Sequence, residues 1–241
     1  MHLRSVVRKS LPPVLLRLLR ALRSHRQDIP EWEYIPEGWA YAQSHPDVRG
    51  WDVSDIVDVY RNKWPRFAQL VQGSGPLGVS HVSPLTSNEN VSSHNTIMIY
   101  AYVLTLATRH KDRIGLLDWG GGIGHHYLLA RSILPEVEID YHCRDLPHLC
   151  SYGAQLFPDQ GFFFDDRWIG NTYDLVMASS SLQYAEEWRE LLFDLCRVTS
   201  DLLFITDLPI VRHAPSFVFI QRPYHLGYNT EYIGWCLNEQ E

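Results

Sequence analysis

From Ile114 onward the chain alternates short apolar runs with longer stretches whose apolar residues recur every three or four positions. The runs 114–118, 137–143, 162–164, 173–178 and 201–206 predict strands, and 123–134, 147–157 and 185–198 predict helices. The last of these sets Trp188, Leu191, Leu192 and Leu195 on one face. Apolar strands separated by helices imply an α/β fold: a doubly wound, mostly parallel sheet covered on both sides.

Upstream the pattern is less regular. Residues 93–109 predict a helix with Ile97, Ala101, Leu104 and Thr108 on one face. Residues 54–71 predict another, capped at Ser54 and disturbed at Pro65. Residues 73–90 are loop by composition, and 28–51, rich in Trp, Tyr, Pro and Gly, read as an ordered loop. Residues 14–26 set Leu15, Leu18, Leu19 and Leu22 on one stripe, with Arg17, Arg20 and Arg23 off it. That is a basic amphipathic helix, suited to an anionic membrane surface or to docking on protein. Three regions follow: an arm over 1–27, a helical and loop cover over 28–110, and the sheet domain over 111–241.

Charge sharpens the division. The net charge is −7, yet residues 1–26 hold seven basic residues and no acidic one, leaving 14 basic against 28 acidic elsewhere. An acidic body lacks the basic footprint that nucleic acid requires. The four cysteines (Cys143, Cys150, Cys196, Cys236) form no C-x-x-C pair, and no secretory signal stands at the start. Reduced thiols and a cytoplasmic place are expected, with peripheral membrane contact through residues 8–26. His142, Cys143, His148 and Cys150 cluster without a zinc spacing, so no metal is expected.

The candidate chemistry begins at Asp118-Trp119-Gly120-Gly121-Gly122-Ile123-Gly124, where the first strand turns into a helix. Glycines here admit positive φ and close approach of a ligand, at the strand edge where doubly wound sheets bind. A dinucleotide fingerprint, G-x-G-x-x-G, fails because His125 stands at the third glycine position. The spacing acidic-x-G-x-G-x-G is met by Asp118, Gly120, Gly122 and Gly124. It resembles motif I of the Rossmann-like, class I S-adenosylmethionine-dependent methyltransferases. Asp118 would then act on the amino-acid part of the cofactor, directly or through water.

Three further segments fit that resemblance. Asp145, ahead of Leu146-Pro147 at the end of the second strand, suits the ribose hydroxyls, or else only caps the next helix. Asp165 and Asp166 follow the third strand, where the superfamily commonly contacts adenine. The run 173–184 resembles motif IV and brings Ser179, Ser180 and Gln183 to the sheet edge beside the transferred methyl. A closer resemblance is to a bacterial methyltransferase-like family often encoded among surface-polysaccharide genes. Its members share a basic Leu/Pro-rich arm, as in residues 8–23, the D-[FW]-G-G-G-x-G-x-x-Y segment, as in 118–127, and an aromatic stretch, as in 217–235. The resemblance implies S-adenosylmethionine as cofactor and a small-molecule or saccharide acceptor, O-methylated. It also implies more sheet after Asp207 than the short runs 217–221 and 232–237 supply, so the C-terminal part of the fold is expected to be incomplete.

Candidates for a base near the sheet edge are His125, His126, Tyr184, Asp207 and His213, each of which also has a purely structural reading. Two other functions stay open: a catalytically silent protein that keeps the fold as a binding scaffold, and an NAD-dependent oxidoreductase.

Overall fold

The computed structural model describes residues 29–53, 55–79 and 90–241. The basic arm over 8–26, the Ser54 cap and most of the loop expected over 73–90 lie outside the described residues.

The N-terminal region opens with strand β1 (Trp32–Tyr34) and a short helix α1 (Ala40–Ser44), where only loop was expected. Helix α2 (Asp55–Val71) runs through Pro65 without ending. Pro65 is on the exposed side, so the carbonyl of Arg61 that loses its N–H partner is at the solvent side. Helix α3 (Val91–Ala107) is capped by Asn90, whose side chain accepts from the Ser93 amide at 2.8 Å. It buries Ile97, Tyr100, Leu104 and Ala107, a face turned slightly from the expected one.

The alternating region then forms as the pattern predicts. In chain order it comprises β2 (Arg113–Trp119), α4 (His125–Ile133), β3 (Glu138–Arg144), α5 (Pro147–Leu156), β4 (Gly161–Phe163), β5 (Tyr173–Ser179), α6 (Trp188–Val198) and β6 (Thr199–Thr206). The sheet order is β4-β3-β2-β5-β6, and every pairing is parallel. Strand order reverses between β2 and β5, which makes the C-terminal edge there the binding crevice of such a sheet. Ile114, Leu116, Ile139, Tyr141, Leu175 and Met177 face α2, α3 and α4. Leu117, Val176 and Ala178 face α6 through Leu195 and Val198. The period of two along each strand thus feeds two cores, one on each side of the sheet.

The last strands, β7 (Ile210–Val211), β8 (Phe217–Gln221) and β9 (Tyr232–Asn238), do not extend this sheet. They join β1 in a second sheet ordered β1-β8-β9-β7, with Trp32 paired to Gln221 and Tyr34 to Phe219. Arg222, only 8 % exposed, ties the two chain ends together through Glu33 at 2.8 Å and Glu231 at 3.1 Å. No helix among the described residues is long and apolar enough to cross a membrane.

Candidate functional site

The glycine turn is held by contacts that exclude side chains. Gly120 has φ +75°, and a Cβ there would land on Ser181. Ser181 in turn donates to the Trp119 carbonyl at 2.8 Å, tying the end of β2 to the loop after β5. Gly121 is closed in by Asp118: a Cβ would strike the Asp118 carboxylate and press on the Tyr141 hydroxyl. Gly124, with φ +95°, leads into α4 against Phe157 and Phe162.

Asp118 lies below the turn. It is fully buried and lines neither the larger cavity around Asp145 nor the smaller one around His126. It shares the parity of Ile114 and Leu116, so the pleat turns it under the loop toward the helices. There its Oδ2 accepts from the Tyr141 hydroxyl at 2.7 Å and lies 3.0 Å from His126 Nδ1. Burial lowers the His126 pKa, but the charge and hydrogen bond of Asp118, with the charge of Asp207, outweigh it and hold the pKa above its ordinary value.

Asp145 does reach the crevice. It lines a cavity of about 720 Å³ with Trp119, Gly120, Arg144 and Leu146. One carboxylate oxygen accepts from the Gly122 amide at 2.6 Å, the other from the Leu146 amide at 2.7 Å. Burial raises its pKa, and these two amides oppose the rise. Two donors fix both oxygens in place and leave further lone pairs for a ligand. Asp165 and Asp166 stand outside the cavity. Asp165 turns to Arg167 at 2.9 and 3.0 Å, and Asp166 is exposed in the short helical turn that follows.

Ser179, Ser180 and Asp207 lie where this cavity meets a smaller one of about 290 Å³, which also exposes His126. Ser180 and Asp207 both have left-handed backbones, with φ 50° and 54°. Such conformations are costly outside glycine and recur at functional sites. Gln183, 2 % exposed, donates from Nε2 to Ser180 Oγ at 3.1 Å, while its Oε1 has no hydrogen-bond partner. Tyr184 is pushed up to about 12 by burial, and its hydroxyl donates to Gln221 at 3.0 Å.

The histidines therefore separate. His125 is buried among Tyr60, Trp64 and Phe67, with ring centroids 5.0–5.3 Å away. His213 is exposed on the surface, away from both cavities. His126 and Asp207 remain beside the crevice. His142 and Cys143 leave β3 on opposite faces, and the described residues contain no group of three placed to hold a metal ion.

Sequence reasoning missed the walls. Trp51 stacks on Tyr232 at 4.0 Å, with Tyr184 and Tyr228 edge-on at 5.6 Å each. These rings come from the N-terminal region, the turn after β5 and the C-terminal region, and line the larger cavity with Tyr60, Trp39 and Trp32. The only signal was the density of Trp and Tyr in two segments without a regular period.

No protein-family model matches the chain, and no curated protein matches it. Solved structures do. One is a plantazolicin methyltransferase crystallised with a monoazolic substrate analogue and S-adenosylhomocysteine. It is 18 % identical over 63 % of this chain and 51 % of its own, with a TM-score of 0.40. A sugar N-methyltransferase from Streptoalloteichus sp ATCC 53650 is 15 % identical over 52 % of this chain and 57 % of its own, with a TM-score of 0.38. The magnesium protoporphyrin IX methyltransferase of Synechocystis PCC 6803, with bound S-adenosylmethionine, is 16 % identical over 65 % and 77 %, with a TM-score of 0.39. The chain spans about half the length of the first structures it matches.

Proposed function

We propose that the chain is an S-adenosylmethionine-dependent methyltransferase, with the cofactor seated in the larger cavity at the β2/β5 crossing. The observation that carries this is Asp145: a carboxylate fixed by two loop amides at the cavity wall, suited to accept from both hydroxyls of a ribose. Gly120 and Gly122 give the loop its shape, and Leu146 adds an apolar contact beside Asp145. When bound, the cofactor supplies a methyl group on a sulfonium for in-line displacement. The chain's own part is alignment, desolvation and exclusion of water by the aromatic walls.

The amino-acid end has its own counterpart in the smaller cavity. His126, held by Asp118 and disposed to carry a proton, suits a carboxylate, while Asp207 suits an ammonium. Affinity for S-adenosylhomocysteine should therefore fall as pH rises through the His126 pKa, which lies above the ordinary imidazole value. Titration calorimetry across pH checks this, and a curve of the same shape for His126→Leu would remove His126 from the site.

A dinucleotide is disfavoured. The Gly122 amide is already given to Asp145, whose charge opposes a pyrophosphate, and His125 fills the third glycine position with packed aromatic bulk. Calorimetry with S-adenosylmethionine, S-adenosylhomocysteine and NAD decides: the adenosyl compounds bind and NAD does not. NAD binding alone refutes the reading, and no binding at all favours a silent scaffold. The acceptor is a small molecule or saccharide hydroxyl. Hydroxyl groups at Ser179 and Ser180 beside the aromatic rings support a polyhydroxylated ring.

A further inference from the structure

Strand β1 is an edge strand that presents two large aromatic rings to water. Trp32 is 48 % exposed and Tyr34 60 %. Alternate residues of a strand share a face, so both rings stand on the side that carries Phe217, Phe219 and Gln221 of β8. Trp32 packs on Phe219 at 4.8 Å between centroids, and Tyr34 on Phe217 at 5.7 Å. Trp32 and Gln221 also line the larger cavity, whereas Tyr34 lies beyond it. The result is an aromatic shelf that starts inside the cavity and continues outward along β1.

The rings of the shelf carry no charge, and the charged group that reaches this side is the Glu31 carboxylate, which accepts from Gln221 Nε2 at 3.4 Å. Glu33 leaves β1 on the opposite face and pairs with Arg222. An anionic polymer therefore finds no counter-charge on it. Water-exposed aromatic faces suit a ligand that is apolar on its face and hydroxylated at its rim, which describes a pyranose ring. A hydroxyl rim needs hydrogen-bonding partners, and beside the rings the cavity lining supplies Ser179, Ser180, Asp145 and Asp207. Same-face positions two residues apart along a strand are separated by about 7 Å, so Trp32 and Tyr34 together span more than one ring.

We propose that the acceptor is a chain of linked, uncharged sugar rings, with one ring in the cavity for methylation and the next ones stacked on Trp32 and then Tyr34. This rests on the methyltransferase reading of the cavity. It also places the reaction: methyl transfer follows the glycosyl transfers that join the rings, because a single sugar would leave the shelf bare.

The test uses the full chain saturated with S-adenosylhomocysteine on a printed array of neutral glycans, from single sugars to long oligosaccharides. The wild type should retain glycans of two or more rings in preference to single sugars. Tyr34→Ala should weaken that retention by about tenfold, and Tyr34→Phe, which keeps the ring, should leave it within about twofold. Affinity for S-adenosylhomocysteine by calorimetry should be the same in all three proteins. Equal retention of single sugars and chains, indifference to Tyr34→Ala, or no retained glycan by a protein that binds S-adenosylhomocysteine would each overturn the proposal. Failure to bind S-adenosylhomocysteine would instead strike the methyltransferase reading beneath it.

Discussion

Asp145→Ala is expected to weaken binding of S-adenosylhomocysteine by about 100-fold or more, with the fold retained. Two hydrogen bonds from ribose hydroxyls to one carboxylate are each worth about 1.5–3 kcal/mol, and their joint loss is a factor of that size or larger. The substitution also frees the Gly122 and Leu146 amides, which now hold the carboxylate at 2.6 and 2.7 Å. Leu146 lines the cavity, where water can replace the carboxylate, whereas Gly122 is buried and its amide loses its acceptor at a cost of about 1–3 kcal/mol, so thermal unfolding should fall by several degrees. Calorimetry and a melting curve on the same sample separate the two effects. Unchanged affinity would mean that Asp145 only braces the loop and that the adenosyl group sits elsewhere. Asp145→Asn is the sharper companion: it keeps the shape and one acceptor oxygen, and should fall between the two.

The parts of this molecule that were legible in the sequence are those set by local pattern. The strands from Arg113 to Thr206 and the helices between them follow from apolar runs and three-to-four-residue spacing, and the glycine turn from its composition. Asp145 was legible because a strand end and a Pro-started helix bracket it. The burial of Asp118 was not foreseen, although its direction follows from the same alternation. With Ile114 and Leu116 on the face that packs on α2, α3 and α4, a residue two further on joins them, beneath the loop. The second sheet could not be read at all. Its pairing joins Trp32 to Gln221 across most of the chain, and β1 is three residues long, too short to show a period. Trp51, Tyr228 and Tyr232 therefore appeared only as members of two aromatic-rich segments, with nothing to show that the two meet.

Gly121→Ala should destabilise the protein by about 3–5 kcal/mol, measured by urea denaturation. The new methyl would land on the Asp118 carboxylate and crowd the Tyr141 hydroxyl. Neither can retreat. Asp118 is fully buried and shared between Tyr141 and His126, and Tyr141 is itself fully buried in the core below the sheet edge. Relief therefore requires moving the whole loop or breaking the carboxylate from its partners, and either route disturbs Gly122 and with it the seat of Asp145. A double-mutant cycle with Asp118→Ala tests the cause. Asp118→Ala alone removes the acceptor on which Tyr141 and His126 converge, and it is destabilising in its own right. In the double variant the methyl enters the space the carboxylate has left, so the combined loss should fall short of the sum by about 1 kcal/mol or more. Additivity within about 0.5 kcal/mol would show that the methyl clashes elsewhere. In that case a contact other than the carboxylate would keep the middle glycine of the acidic-x-G-G-G run bare, and Asp118 would not be what shapes the turn.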